Sequence, residues 1–243
     1  MFIRSPAAYE ALKSYNVLQL PSRSLLQSYT GTFLHEPGAS SHSIAHQAKA
    51  FQIFRAEKLK KGEHEPLADG VLIFDEVKVV STLLWNSCSQ KNFGLAMTSE
   101  DQASLHDIYR TLDGTESTQQ TSYILQFLWR DLTSSFDIVG PYFTCCGSLP
   151  SKFILARVLE TLRLFQLYGF KTSILVCDGA AANMTTIKAT MGVRGAFGVK
   201  QGKEDPHLVE PFFINPFNPP NKIYWIICPS HQVSSISHYC LQM

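Results

Sequence analysis

The segment "SKFILARVLETLRLFQLYGFKTSILVCDGAAANMTTIKATMG", residues 151–192, constrains the fold more than any other part of the chain. Its first half has Ile154, Val158, Leu162 and Phe165 at helical spacing, flanked by Leu155 and Leu159. Such a stripe predicts an amphipathic helix, and Gly169 is placed to end it. Ser173 to Cys177 follows as a short, nearly all-apolar run. That pattern suits a central parallel strand covered on both faces. Asp178 and Gly179 stand where the strand stops, and a second helix is predicted to about Met191 with Gly192 as its stop. A helix that joins two strands of one sheet favours a right-handed crossover and parallel pairing. The chain is therefore predicted to be α/β.

The stretch "GVLIFDEVKVV", residues 70–80, reads as a strand. Alternate residues of a strand share a face, so Val71, Ile73, Asp75, Val77 and Val79 form one face with a single carboxylate among β-branched hydrophobes. A buried carboxylate requires a partner. Glu76 has a simpler account as an exposed ion pair with Lys78, worth about 0–1 kcal/mol. "STLLWNSCSQKNFGLAM" is predicted to be a hairpin or bent strand pair, and "TSYILQFLWRDL" a strand with Tyr123, Leu125, Phe127 and Trp129 on one face. "GPYFTCCGSLP" reads as a turn before the long helix, and "NKIYWIICPSHQ" as the fifth strand. The expected order is three strands in a meander, a helix, a strand ending in Asp178, a helix and a fifth strand. Ligands of such sheets gather beyond the carboxyl ends of parallel strands. Should the first strand and the strand ending at Cys177 be neighbours, Asp75 and Asp178 converge and can share a metal cation.

Residues 1–64 read as a helical lead-in, 65–232 as the main domain and 233–243 as a tail. Two short helices are expected in "SPAAYEALKSY" and "LPSRSLLQSYTG", and another in the basic stretch ending at Lys61. The 243-residue chain has a net charge of +1, but residues 1–64 carry 8 Lys/Arg against 4 Asp/Glu while the rest carries 13 against 16. The cluster containing Lys58, Lys60 and Lys61 can meet phosphates or form a solvated helix face. No run of about 18 apolar residues occurs, so no membrane-spanning segment is expected. The amino end lacks a signal-peptide pattern. The six cysteines are accordingly expected to be thiols, and the absence of any C-x-x-C argues against a structural zinc site.

Several of these pieces together resemble the RNase H-like domain of P-element-type transposases, including the THAP-containing transposases of animals. They are "SPAAYEAL", "LPSRSLLQSYTG", "FDEVKV" followed by "LLW", "GPYF", "ETLRLFQLYGFKTSILVCDGAAAN" and "KIYWIICPSHQ", in the family's order across about residues 5 to 232. The resemblance implies an RNase H-like mixed sheet, with a three-strand antiparallel meander joined to parallel strands by crossover helices. It also implies Mg²⁺- or Mn²⁺-dependent DNA cleavage and strand transfer by two ions held by three carboxylates, about 3.5–4 Å apart. Asp75 would be the first acid and Asp178 the second, both as catalytic residues and metal ligands. DNA as partner, a nuclear location and homo-oligomerisation are further implications.

The chain departs from the family pattern in three places. The third acid, a Glu far beyond the fifth strand, has no counterpart, since "QVSSISHYCLQM" after His231 contains no Asp or Glu. Cys228-Pro229-Ser230-His231 stands where relatives commonly show Asp-Pro-Pro-His. The amino-terminal THAP module is also lacking. The expectation is a transposase-derived domain that is truncated and catalytically incomplete. The alternatives are a non-catalytic DNA-binding or protein-interaction module, and a Rossmann-type nucleotide binder, which lacks G-x-G-x-x-G after its first strand. At single residues, Asp178 can be a helix N-cap as well as a ligand. Asn183 reads as a cap of the following helix, His231 as a DNA contact or an ordinary surface residue, and Cys145 and Cys146 as packing thiols.

Overall fold

The computed structural model describes residues 37–81, 84–86, 91–93, 121–194, 203 and 209–229. The short helices expected within 5–31, the polar segment after Ser99, His231 and the 233–243 tail lie outside these residues. In chain order the described elements are α1 (Ser41–Lys60), β1 (Asp69–Lys78), β2 (Leu84–Asn86), β3 (Lys91–Phe93), β4 (Tyr123–Asp131), β5 (Asp137–Cys145), α2 (Ser151–Leu167), β6 (Lys171–Cys177), α3 (Ala181–Thr190), β7 (Phe212–Ile214) and β8 (Lys222–Ile227).

Six strands form a mixed sheet in the order β5-β4-β1-β6-β8-β7. β1 is antiparallel to β4, with Phe74 opposite Phe127, and parallel to β6, with Ile73 beside Val176. β6 is parallel to β8, and α3 lies in the connection between them. This is the expected α/β mixed sheet, with two differences. The hairpin β2–β3 forms its own two-stranded sheet, and the third strand of the meander is β5. β5 includes Gly140 and Pro141, which as a sequence read as a turn. Proline is tolerated because β5 is an edge strand. The register shifts between Gln126 and Leu128, where the Gln126 Nε2 donates to the carbonyls of Phe127 (2.7 Å) and Gly140 (3.0 Å). The side chain thereby satisfies backbone acceptors that a regular ladder would pair. The parallel-only sheet of a Rossmann-type binder is ruled out by β4 and β5.

The core lies between one face of this sheet and the helices. Leu72, Phe74, Leu125, Phe127, Trp129, Phe143 and Leu175 are buried, as is the predicted stripe Ile154, Val158, Leu162 and Phe165 of α2. On β1 the buried face is thus the even-numbered one, contrary to the odd face expected from its β-branched residues. Both faces of that strand are apolar, so alternation could not choose between them; packing of Phe74 against Phe127 of β4 and Trp225 of β8 does. Asp75 is exposed, and Val77 on its face is 51% exposed.

α1 belongs to the same core, although it falls within the expected 1–64 lead-in. Phe51 meets Phe136 and Phe170 edge-on at ring-centroid distances of 5.1 and 5.3 Å. Trp129 stacks on Phe165 at 6.1 Å. Such aromatic pairs each contribute about 0.5–1.5 kcal/mol beyond area burial. Gln47 also closes the outer edge of β5. Its Nε2 donates to the Val139 carbonyl and its Oε1 accepts from the Val139 N–H, both at 2.8 Å. A side-chain amide here takes the place of a neighbouring strand and blocks edge pairing.

Gly70 sets how closely β1 and β4 can support this core. A Cβ at Gly70 would lie 2.3 Å from the Trp129 ring and 2.6 Å from the Arg130 carbonyl oxygen. Gly70→Ala should therefore destabilise the chain by about 1–3 kcal/mol, the usual cost of overpacking. Gly179→Ala, whose Cβ meets only Ile227 at 3.7 Å, should stay within about 0.5 kcal/mol of the parent. Urea unfolding midpoints of the two variants measure the contrast.

The Arg130–Asp137 pair, bidentate at 2.7 Å across β4 and β5, holds the Asp137 carboxyl below its ordinary value of 3.8. A depressed carboxylate adds stability that is present above its ordinary value and is lost as pH falls through the lowered one. Asp137→Asn should thus flatten the acid limb of the stability–pH curve below about pH 4, measured as the unfolding midpoint at successive pH values.

Candidate functional site

The carboxyl ends of β1 and β6 lie side by side. Their parallel register pairs Ile73 with Val176, and two residues further along each strand stand Asp75 and Asp178. Asp178 is the first residue beyond β6, and its carboxylate meets the start of α3, while Asp75 is exposed near the end of β1. The two acids selected from the sequence are thus brought to the same sheet edge by the parallel pairing of β1 and β6.

Each carboxylate has local hydrogen bonds. Asp75 Oδ1 accepts from the Glu76 N–H at 2.8 Å. Asp178 Oδ1 accepts from the Ala180 N–H at 3.0 Å and from Asn183 Nδ2 at 2.6 Å. Asp178 therefore orders the turn into α3 without being its N-cap, which is Ala180, two residues further on. Asn183 sits in the first turn of α3, not at its cap, because that helix already begins at Ala181.

Glu76 is a further acid of this region. It lies on the core-facing side of β1, in line with Leu72 and Phe74, and is half-buried. Burial raises its carboxyl above the ordinary glutamate value of 4.5; the Leu149 backbone N–H opposes the rise, and the charges of Asp178 and Asp75 add to it. The expected ion pair with Lys78 is not formed among the described residues. The side of β1 that carries Glu76 became readable only once the buried face was known. Its alternation with Leu72 and Phe74 was the available signal.

Among the described residues no Lys, Arg or His forms an ion pair with Asp75, Glu76 or Asp178. Uncompensated carboxylate oxygens at one edge suit a hard, oxygen-preferring divalent cation. Among the same residues, no group of three or more His, Cys, Asp or Glu side chains is disposed to hold a metal ion. Asp75 and Asp178 are thus the hard oxygen donors at this edge, and the described residues complete no three-ligand group.

The other candidates are separate from this edge. Lys58 is ion-paired with Glu63, and Arg55 with Glu65. Lys60 and Lys61, at the end of α1, remain exposed. No described helix is long and apolar enough to cross a membrane.

Known proteins supply an independent comparison. A family model described as "TNP-like, RNase H N-terminal domain" matches residues 44–191. The chain belongs to this family. The match runs from α1 to the end of α3 and includes Asp75 and Asp178. Among solved structures, the Drosophila P element transposase strand transfer complex is similar with a TM-score of 0.60 and 15% identity, over 98% of this chain and 41% of that one. The two share a fold, and the TNP-like chain spans less than half the length of that transposase. No curated protein matches.

The buried thiols next to the acids serve as reporters of the site. Burial, with Glu76 and Cys146 nearby, pushes the Cys145 thiol up to about 11. Burial, with Asp178 and Asp75 nearby, pushes Cys177 up to about 12. Both stay protonated and unreactive at neutral pH, whereas Cys146 is exposed. Mild alkylation mapped by mass spectrometry should modify Cys146 before Cys145 and Cys177, which stay protected until the chain unfolds.

Proposed function

We propose that this TNP-like domain is a transposase-derived RNase H-like module that binds one divalent cation, Mg²⁺ or Mn²⁺, between Asp75 and Asp178 and is catalytically incomplete. The observation that carries this reading is that Asp75 and Asp178, with no ion-paired cation among the described residues, stand at the ends of adjacent parallel strands. When bound, such an ion supplies Lewis-acid polarisation of a phosphodiester oxygen and lowers the pKa of a coordinated water. The chain's own residues contribute carboxylate oxygens from Asp75 and Asp178, with Asp178 oriented by Ala180 and Asn183. Glu76 adds negative charge behind them without completing a three-ligand set.

DNA is the proposed partner, supported by the shared fold with a transposase whose structure is a strand transfer complex. Lys60 and Lys61 are the cations proposed to meet its backbone, while Lys58 is committed to Glu63. His231 is a further proposed DNA contact. A nuclear location follows from the same reading, and self-association remains part of the proposal.

Two-metal phosphodiester cleavage needs ligands enough to hold both ions, and removing an acidic ligand costs most of the rate. Calorimetric titration of the whole chain with Mn²⁺ should therefore show weak binding of one ion, abolished by Asp75→Ala and by Asp178→Ala. A plasmid-nicking assay in Mn²⁺ should show no cleavage above background. An intact, folded chain that takes up no Mn²⁺ would overturn the metal site, and efficient nicking would overturn the incompleteness.

A further inference from the structure

The least expected group near the acids is a neutral one. Asn183 is 5% exposed, so it is almost wholly buried, yet it is polar. Its Nδ2 donates to Asp178 Oδ1 at 2.6 Å. Its own Oδ1 is buried and has no hydrogen-bond partner. The carboxylate acceptor fixes which way the amide is turned, since reversing it would bring two oxygens together. An orphaned buried acceptor costs about 1–3 kcal/mol, so the amide is an expensive choice for packing alone. What offsets it is a short hydrogen bond to an ionised group, of a kind worth about 1.5–3 kcal/mol.

The helix that carries Asn183 is itself held in place. Thr186 Oγ1 donates to the Ser151 carbonyl at 3.1 Å, tying α3 to the start of α2. Trp225 Nε1 donates to Thr190 Oγ1 at 2.9 Å, tying the end of α3 to β8. Thr186 and Ile187 are buried beside these anchors. The Asn183 donor is thus delivered from a docked helix to a carboxylate in the loop after β6. The Ala180 N–H meets the same oxygen, so Asp178 is held through Oδ1 by two donors from one rigid element.

We infer that Asn183 is the positioning residue for Asp178, fixing that carboxylate at the sheet edge in the orientation in which it meets a divalent cation with Asp75. This inference rests on the metal-binding reading of Asp75 and Asp178. It assigns the buried amide the part that outer-shell hydrogen bonds play for ligating carboxylates, where their loss costs about 10–100-fold in metal affinity.

The test uses the whole chain and three substitutions. Asn183→Leu removes both the donor and the orphaned oxygen while keeping the branched shape and heavy-atom count, and its cooperative unfolding should show that the fold is retained. Its Mn²⁺ affinity by calorimetry should fall at least about tenfold. Asn183→Ala, which also lacks the donor, should lose as much. A folded Asn183→Leu chain that binds Mn²⁺ as the parent does would overturn the inference. A second readout does not depend on metal or on the Leu variant folding. In ¹H–¹⁵N spectra of the apo chain, the Asn183 side-chain amide should be displaced and slow to exchange, and Asp178→Ala should abolish both properties. An Asn183 amide that ignores Asp178→Ala would also overturn it. Absence of Mn²⁺ binding by the parent itself would instead overturn the metal reading, leaving the Asn183–Asp178 contact to be judged by the spectra.

Discussion

The structure depends on β1 being paired in opposite senses on its two sides. Antiparallel pairing with β4 builds the meander, and parallel pairing with β6 joins it to the crossover half. Only the parallel pairing puts the carboxyl end of β1 next to the carboxyl end of β6. An antiparallel neighbour would set Asp75 and Asp178 at opposite ends of the two strands. The placement is supported from below by packing: Gly70 lets Trp129 lie against β1, and Trp129 stacks on Phe165 of α2. Because interiors are close-packed, this contact fixes the height of the helix over the sheet.

The two faces of the sheet near this edge have different electrostatic characters. Asp75 is exposed on one face, where water screens its charge. Glu76, on the other, is half-buried behind the acids and has its proton held more tightly by that burial. Neighbouring residues of one strand therefore experience unlike environments, as the two-residue period of a strand requires. Cys145 and Cys177 share the buried side, and their raised thiol pKa values keep the region free of thiolate chemistry. Oxygen donors dominate the exposed side, which favours hard cations over soft ones.

Membership of the TNP-like RNase H family and the shared fold of the P element transposase agree with a mixed sheet whose edge at Asp75 and Asp178 is assembled from distant segments. Docking of α3 through Thr186 and Trp225, together with the Asn183–Asp178 bond, shows that the second acid is held by a fixed framework.

The sequence by itself determined the helix–strand–helix run from Ser151 to Thr190, the strands around Asp75 and Leu125, and the final strand at Trp225. Their periodicities are local, and glycines at 169 and 192 mark the ends. It also singled out Asp75 and Asp178, because an acid at the end of an apolar strand stands out against its neighbours. Tertiary structure decided the rest. The strand Asp137–Cys145 was hidden by Gly140 and Pro141, which are admissible only at an edge with Gln126 filling the irregular register. The buried face of β1 was hidden because both of its faces are apolar, and only tertiary packing, with Phe74 against Phe127 and Trp225, chooses between them. Asn183 and Glu76 gained their parts from that choice. A hydrogen bond from a docked helix, and a carboxyl half-buried by packing, are properties of neighbours in space that no local pattern of residues encodes.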